Sequence, residues 1–459
     1  MIAHDRPARA SWLARLVDVR AGEAAAVAWA WVFFFSVLSA YYVIRPIRDD
    51  MGVAGGVANL PWLFTGSLTG MLVLNPPFAY LVARLPRARF VGWAYRFFLL
   101  NLLAFFAALT WGPGLQSVWL GRAFFIWTSV FNMFVVAIFW SVMADVFSPV
   151  QGKRLFGFIG AGGTLGGITG AALTSRLVGI VGTANMLLVS AVFLEVAALA
   201  ARRLFHLRRT AANADAVRAH VEAGTAVALP EVGDEGEALI GGSVWDGLRR
   251  ALTEPYLVNV TLNMLLFTVL TTFLYFQQAT IVDAAIESRV ARTEFFANID
   301  LAVNLITLVT ELFATGWFVQ RFGVAVALGM LPALSVAGFG LLGTMPTIAV
   351  LMAFQVVRRA GNFAVARPAR EMLFTVVPAS DRYKAKTFID TVVYRVGDQL
   401  GAWAYAPLAA LGAGVAAIST AAIPLSLLAL VNAVWLGRKM GRLQTPAGTG
   451  DRGPGITDQ

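Results

Sequence analysis

Near its start the chain carries Tyr41-Tyr42-Val-Ile-Arg45-Pro46-Ile-Arg48-Asp49-Asp50, which places two guanidinium groups and two carboxylates at the end of a long apolar run. Arg45 and Arg48 lie three residues apart and therefore share a helix face. Guanidinium planes match carboxylate and phosphate oxygens in pairs, so this face is suited to clamping an anion. It is equally suited to be an interfacial cluster whose long side chains reach back to water. Arg48 meets Asp49 or Asp50 only through backbone distortion, which Pro46 invites. A second set runs from Arg358 through Arg359, Arg367, Arg370 and Glu371 to Asp390, Arg395 and Asp398. Asp390 and Asp398 stand eight residues apart, about two helical turns, and so fall nearly on one face. Salt bridges between helices account for part of this set, and a charged cavity accounts for it as well.

Positioning these groups falls to helices in a bilayer. Of the 459 residues, 58% are hydrophobic and 14% charged, and the mean hydropathy is +0.71. Soluble domains carry about 25% charged residues, so a soluble enzyme is excluded. A membrane span needs about 20 apolar residues. Runs of that length fall at 24–46, 57–83, 90–111, 118–147, 155–179 and 181–202. A second set falls at 256–282, 295–319, 322–343, 346–366, 386–411 and 414–436. The pattern predicts an all-α polytopic membrane protein, a twelve-helix bundle in two six-helix halves. The halves are 1–202 and 251–437, joined by a polar linker at 203–250 and followed by a disordered tail at 438–459.

The first apolar run continues past Tyr42, longer than the roughly 7–15 residues of a signal peptide's apolar region, and reads as a retained first span. The net charge of +10 fits a membrane protein better than a nucleic-acid binder. Basic residues gather in alternate loops, at Arg84, Arg87 and Arg89, at Lys153 and Arg154, at Arg321, and at Arg438, Lys439 and Arg442. That bias predicts both termini and the linker on the cytoplasmic side. Within the linker, Ser243-Val-Trp-Asp246 resembles a capping box that opens a short helix. The two halves also echo one another: Ser148-Pro149 through Arg154 and Val377-Pro378 through Lys384 are both proline-led basic turns.

The fifth span is studded with glycine, at Gly157, Gly160, Gly162, Gly163, Gly166, Gly167 and Gly170. A phosphate-binding loop would need a preceding strand and a following Gly-Lys-Ser, and neither is present. Three- and four-residue spacing of small residues in a span predicts close helix packing instead. With no cysteine and three histidines, His4, His206 and His220, none inside a span, the chain offers no catalytic constellation, metal site or cofactor motif. Asp145, Glu195 and Glu311 are isolated carboxylates within spans, suited to proton coupling or to hydrogen bonds across helices.

At these same charged residues the chain resembles the ATP/ADP translocase family, nucleotide transporters of bacteria and plastids that form a branch of the major facilitator fold. That family closes its first span with Tyr-x-x-x-Arg-x-x-Lys-Asp, to which Tyr41, Arg45, Arg48 and Asp49 are similar, with Arg in place of Lys. Phe139-Trp140, Pro149 with Lys153-Arg154, Pro368-Ala-Arg370-Glu371-Met372, Lys384-Ala-Lys386, Ile389-Asp390 and Arg395-x-Gly397 match further family motifs. The departures fall on charges: Asp398 stands where the family has Lys, Gln151 where it has Glu, and Arg367 where it tends to have Asp. The resemblance therefore implies a divergent bacterial relative rather than an ATP/ADP exchanger.

These observations together predict a transporter that works by alternating access on an anionic small solute, nucleotide-like solutes among the candidates, in a bacterial inner membrane. Tyr41, Arg45, Arg48, Arg370 and Arg395 are the candidate substrate-binding residues. Asp49, Glu371, Asp390 and Asp398 are the candidate gating or coupling residues. A lipid or amphiphile flippase of the same fold is the alternative, its 33 Phe and 13 Trp lining a lateral opening. A transport-inactive scaffold is the reading from outside the class. The lipid bilayer is an expected partner, and nucleic acid is not.

Overall fold

The computed structural model describes residues 19–20, 23–112, 114–223, 253–377, 385–386 and 388–444. Helices α1 (Ala24–Ala54), α2 (Leu60–Arg84), α3 (Arg87–Trp111), α4 (Val118–Val146), α5 (Pro149–Val181) and α6 (Thr183–Ala223) come first. After the linker follow α7 (Pro255–Ala285), α8 (Arg289–Phe313), α9 (Thr315–Thr344) and α10 (Ile348–Gly361). A π-helical turn, Asn362–Ala366, joins α10 to α11 (Arg367–Leu373). A second one, Ile389–Val393, opens α12 (Tyr394–Ala410), and α13 (Val415–Gln444) ends the described chain. The described residues contain no strand.

Eleven stretches among the described residues are long and apolar enough to cross a membrane. The twelfth expected span, 386–411, is divided between the second π turn and the 17-residue α12. It carries Asp390, Arg395 and Asp398 and so lacks the apolar character of the others. Two boundaries differ from the sequence expectation. Helix α6 runs to Ala223, so Arg203, Arg208 and Arg209 ride on a helix rather than opening a linker. Helix α13 runs to Gln444, so residues 438–444 are helical rather than tail, and Arg442 in the last turn complements the negative end of the helix dipole. The capping box at Ser243–Asp246, the turn from Pro378 to Lys384 and His4 lie outside the described residues.

The chain forms two compact units, and they cut it differently from the two expected halves. The first comprises Met1–Ala238 with Phe276–Leu308, and the second Leu239–Tyr275 with Val309–Gln459. In the first, α1 is the central element, packed against α4, α5 and α6. It buries Phe33, Phe34, Val37, Val43, Ile44 and Ile47, and the glycine stripe of α5 meets it along Trp31, Phe34, Phe35, Ser39 and Tyr42. A Cβ on Gly166 would lie 2.2 Å from the carbonyl oxygen of Phe35, and one on Gly170 2.5 Å from that of Ser39. Only hydrogen as a side chain lets the two backbones come this near. Hydroxyl groups use the same proximity: Ser39 donates to the Gly166 carbonyl at 3.2 Å and Thr174 to the Val43 carbonyl at 3.0 Å, while from α6 Ser190 donates to the Ala40 carbonyl at 2.9 Å.

The start of α5 is closed by a capping box, in which Ser148 Oγ accepts from the Gln151 amide and Gln151 Oε1 accepts from the Ser148 amide. The free Nε2 of Gln151 donates to Glu23 at 2.9 Å, and Arg154 donates to both Glu23 oxygens at 2.8 and 2.9 Å. Glu23, the residue ahead of α1, is held down to about 2 chiefly by the Arg154 guanidinium. These bonds tie the beginnings of α1 and α5 together at the opposite end of α1 from Arg45.

In the second unit α9 lies along α13, with Gly437 facing Ala325 so closely that a Cβ would sit 2.3 Å from the Ala325 Cα. Helix α9 breaks at Gly323, whose φ of 78° is left-handed and suits only glycine well. Gly397 and Gly401 of α12 face Thr268 and Thr272 of α7, one helical turn apart. Tyr256 at the start of α7 donates from its buried hydroxyl to the Leu373 carbonyl at 2.8 Å.

Candidate functional site

The first charged set closes α1, which continues as helix through Pro46. Arg45 donates to Asp300 of α8 at 2.6 Å, and the carboxylate side chain is 2% exposed. Arg48 binds Asp49 at 2.9 Å and lies 4.6 Å from the centre of the Phe125 ring, so the neighbouring pair forms without breaking the helix. Asp50, 1% exposed, gives one oxygen to Arg289 at 2.9 Å and the other to Arg292 at 2.8 Å. Arg289 also donates to the Leu115 carbonyl, and Arg292 reaches Asp283 at 3.6 Å. Tyr41 is half-buried one turn before Arg45, its ring edge-on to Tyr42 at 5.4 Å. Arg45, Arg48 and Arg289–Arg292 thus each meet a carboxylate, and α1 is riveted to α8.

The second charged set behaves differently. Arg358, 3% exposed, donates to Ser335 Oγ at 3.0 Å and to Thr271 Oγ1 at 3.1 Å. Arg370 donates to Asn362 Oδ1 at 3.1 Å and approaches Met264 Sδ at 3.6 Å. Both guanidinium groups face the Phe267 ring, Arg370 at 4.4 Å and Arg358 at 5.5 Å from its centre. Among the described residues neither is ion-paired with a carboxylate. They flank a cavity of about 20 Å³ lined also by Asn263, Leu331 and Pro332, which is room for one water-sized group. The π turn Asn362–Ala366 lies between them in sequence and supplies Asn362 to Arg370. Single π turns inside helices concentrate at functional sites.

The remaining candidates stand apart from this cavity. Glu371 is exposed and pairs with Lys386. Asp390 is exposed on the second π turn. Arg395 and Asp398 form a long pair at 3.6 Å on one face of α12, and Asp398 accepts from Thr272 at 3.5 Å. No group of three or more His, Cys, Asp or Glu able to hold a metal occurs among the described residues.

The family model described as Major Facilitator Superfamily matches residues 24–286. The chain belongs to this superfamily. A bacterial homolog of the human lysosomal transporter Spinster, inward-facing and unoccupied, overlays with a TM-score of 0.59 at 13% identity, over 94% of this chain and 100% of that one. An inward-facing bacterial homologue of the iron transporter ferroportin overlays at 0.58 with 14% identity, covering 91% and 98%. The nucleoside transporter NupG overlays at 0.56 with 13% identity, covering 92% and 100%. At such identities the likeness speaks for the fold alone. No curated protein matches this chain. As a Major Facilitator protein it is a multi-pass membrane protein of transporter fold, as the apolar runs and the six-plus-six spacing predict.

Reading the sequence alone misses Asp300, Asp50's two arginine partners and the deep placement of Arg358. Asp300 left a signal, a single carboxylate in the otherwise apolar stretch Ile299-Asp300-Leu301-Ala302-Val303, and an ionisable residue inside a span calls for a partner. Arg289 and Arg292 read as loop residues because they stand at the very start of α8. Nothing in the spacing of Arg358 and Arg359 tells which of the two turns into the core.

Proposed function

We propose that this Major Facilitator protein carries an anionic solute by alternating access, in a bacterial inner membrane with both termini cytoplasmic. One observation carries the proposal: Arg358 is buried and Arg370 half-buried beside Phe267, and among the described residues neither is ion-paired with a carboxylate. Taking a cation out of water costs several kcal/mol, and hydroxyl, amide and ring contacts offset only part of that. An arriving anion supplies the rest, and supplies it selectively for negative charge. The cavity admits one oxygen of a phosphate or carboxylate group, so the body of the solute requires the π turn or its neighbours to move.

The roles of the charged residues then divide. Arg370, with Arg358, holds the anion, and Arg395 beside Asp398 lies within the same unit as a second cationic contact. Arg45 with Asp300, Arg48 with Asp49 and Asp50 with Arg289 and Arg292 act as a gate, in which an anion competes with a carboxylate for its arginine. Tyr41 belongs with Arg45. Glu371, Asp390 and Asp398 serve as coupling groups. A nucleotide-like solute is the favoured class, on the likeness of Tyr41, Arg45, Arg48, Asp49 and Pro368–Met372 to nucleotide-carrier motifs.

Uptake by proteoliposomes tests this directly, with labelled phosphate, dicarboxylates and nucleotides set against neutral nucleosides and sugars. At least one anion is expected to accumulate, and Arg370→Lys, which keeps the charge and loses the planar fork, to weaken its binding at least about tenfold, about 1.4 kcal/mol. Transport confined to neutral solutes, or an Arg370→Lys protein with wild-type affinity, overturns the proposal.

A further inference from the structure

A second basic site lies in the first unit, where α3 meets α6. Arg89 and Trp93 are one turn apart on α3, and Arg202 and Arg209 lie two turns apart on α6. They line a single cleft of about 460 Å³ whose floor includes the buried Phe205. The cleft exists because small residues sit at the contact: Ala88, Gly92 and Ala198 line it, and a Cβ on Gly92 would meet nothing within 4 Å. Arg96, deeper along α3, is already engaged by Glu195 through contacts of 2.7 and 3.3 Å. Arg89, Arg202 and Arg209 are exposed and make no ion pair among the described residues.

The place of this cleft along the helices is informative. Arg89 stands at the beginning of the apolar length of α3, and Arg209 at the end of the apolar length of α6, Thr183–Thr210. Arg89 and Arg209 therefore mark the edge of the hydrocarbon layer, where phospholipid phosphates lie, and Arg202 stands two turns inward from Arg209 on α6. Trp93, 73% exposed, projects beside them, and tryptophan prefers that same interfacial depth. A water-soluble anion would have no use for the exposed ring or for the exposed apolar side chains that flank the Arg96–Glu195 pair, Phe97 and Leu100 on α3 and Val196 and Leu199 on α6. A lipid uses both, with acyl chains along α3 and α6 and a phosphate among the guanidinium groups.

We propose that this cleft binds the phosphate headgroup of an anionic glycerophospholipid, with Arg89, Arg202 and Arg209 as its cationic cradle and Trp93 as its interfacial wall. The lipid is a resident ligand of the first unit, independent of the solute that the second unit's arginines recognise. Occupancy ties the start of α3 to the end of α6 by a charge bridge in addition to the Arg96–Glu195 pair.

The test uses the full chain, purified in neutral detergent and titrated with phosphatidylglycerol, with phosphatidylcholine of the same acyl chains, and with inorganic phosphate. Bound lipid is read by native mass spectrometry and stability by thermal melting. Phosphatidylglycerol is expected to bind and raise the melting temperature, phosphatidylcholine to bind at least about tenfold more weakly, and inorganic phosphate at equal concentration not to displace the lipid. Two independent variants should each lose at least about tenfold in phosphatidylglycerol affinity. One is the triple change Arg89→Gln, Arg202→Gln and Arg209→Gln, and the other is Gly92→Leu, which fills the cleft without touching a charge. Gly92→Leu has open space and a better helix former at that position, so its lipid-free melting temperature should match or exceed the wild type. Equal binding of the two lipids, or wild-type affinity in both variants, overturns the proposal. Displacement by inorganic phosphate overturns it as well, by making the cleft a site for a free anion.

Discussion

In the first unit the arginines of α1 and α8 are matched with Asp300, Asp49 and Asp50, whereas in the second Arg358 and Arg370 rest on Phe267 and on hydroxyl, amide and thioether groups. The two clusters look alike as strings of charge, and their energetics are opposite. A buried pair is costly to break because its surviving partner is left as an uncompensated charge. A buried cation without a counter-ion is already uncompensated, so removing it relieves a cost while abolishing whatever that charge attracts. The first arrangement suits a lock between helices, and the second suits a receptor for negative charge.

The largest expected effect breaks the comparison at its root. Asp50→Ala takes the carboxylate from Arg289 and leaves Arg292, whose side chain is 8% exposed, only the 3.6 Å contact with Asp283, and should cost about 3–5 kcal/mol of stability. Arg358→Met fills a similar volume and leaves Ser335 and Thr271 bonded to the Leu331 and Phe267 carbonyls. It should therefore leave the melting temperature unchanged or raised, while eliminating anion binding. Melting both proteins in one detergent settles the matter. An Arg358→Met protein as unstable as Asp50→Ala would mean that the second cluster is also structural, and the contrast between the units would be lost.

A smaller effect sharpens it. Gly166 of α5 faces the immovable backbone of Phe35 at 2.2 Å, whereas Gly397 of α12 faces the side-chain oxygen of Thr268. A methyl group at Gly166 must push two helices apart, an overpacking cost of about 1–3 kcal/mol. At Gly397 rotation of the threonine takes up much of the overlap, and the cost is expected to be lower. Thermal melts of Gly166→Ala and Gly397→Ala should rank in that order. The reverse ranking would make the second unit the more rigidly built of the two.

Much of this architecture is legible in the residues themselves. Apolar runs of bilayer length give the helices, and the glycine stripe of α5 gives its tight seat against α1, because both depend on local composition and spacing. The difference between Arg45, paired with Asp300, and Arg358, which meets no carboxylate among the described residues, is not local. Asp300 lies 255 residues from Arg45, and no periodicity links them. The two π turns at Asn362–Ala366 and Ile389–Val393 are equally silent, since an inserted helical residue leaves no mark on hydropathy. Arg48 and Asp49 gave the opposite lesson. Side chains at adjacent helix positions ordinarily diverge, yet the long arginine reaches its neighbour by lying over Phe125, a ring from another helix.

The smallest effect concerns the pair that ties α1 to α5. Glu23 has its carboxyl lowered from the ordinary 4.5 to about 2 by Arg154, with Gln151 and the Arg20 amide assisting. Because the folded value is the lower one, the folded state binds fewer protons here, and the stabilisation is present above about pH 4.5 and fades as pH falls towards 2. Glu23 and Arg154 side chains are each 15% exposed, so solvent screening cuts the contribution to about 1 kcal/mol. Glu23→Gln should accordingly lower stability at pH 7 by about that amount, and by progressively less as the medium is acidified, until the variant and wild type melt together near pH 2. The pair shares no hydrogen bond with the α8 contacts or with the Arg358 cluster, so anion affinity at pH 7 should stay at the wild-type value. A Glu23→Gln protein whose melting deficit persists unchanged at low pH would show that Glu23 acts through packing at the head of α1. A loss of anion affinity in the same variant would instead join this end of the first unit to solute recognition and dissolve the separation of lock from receptor.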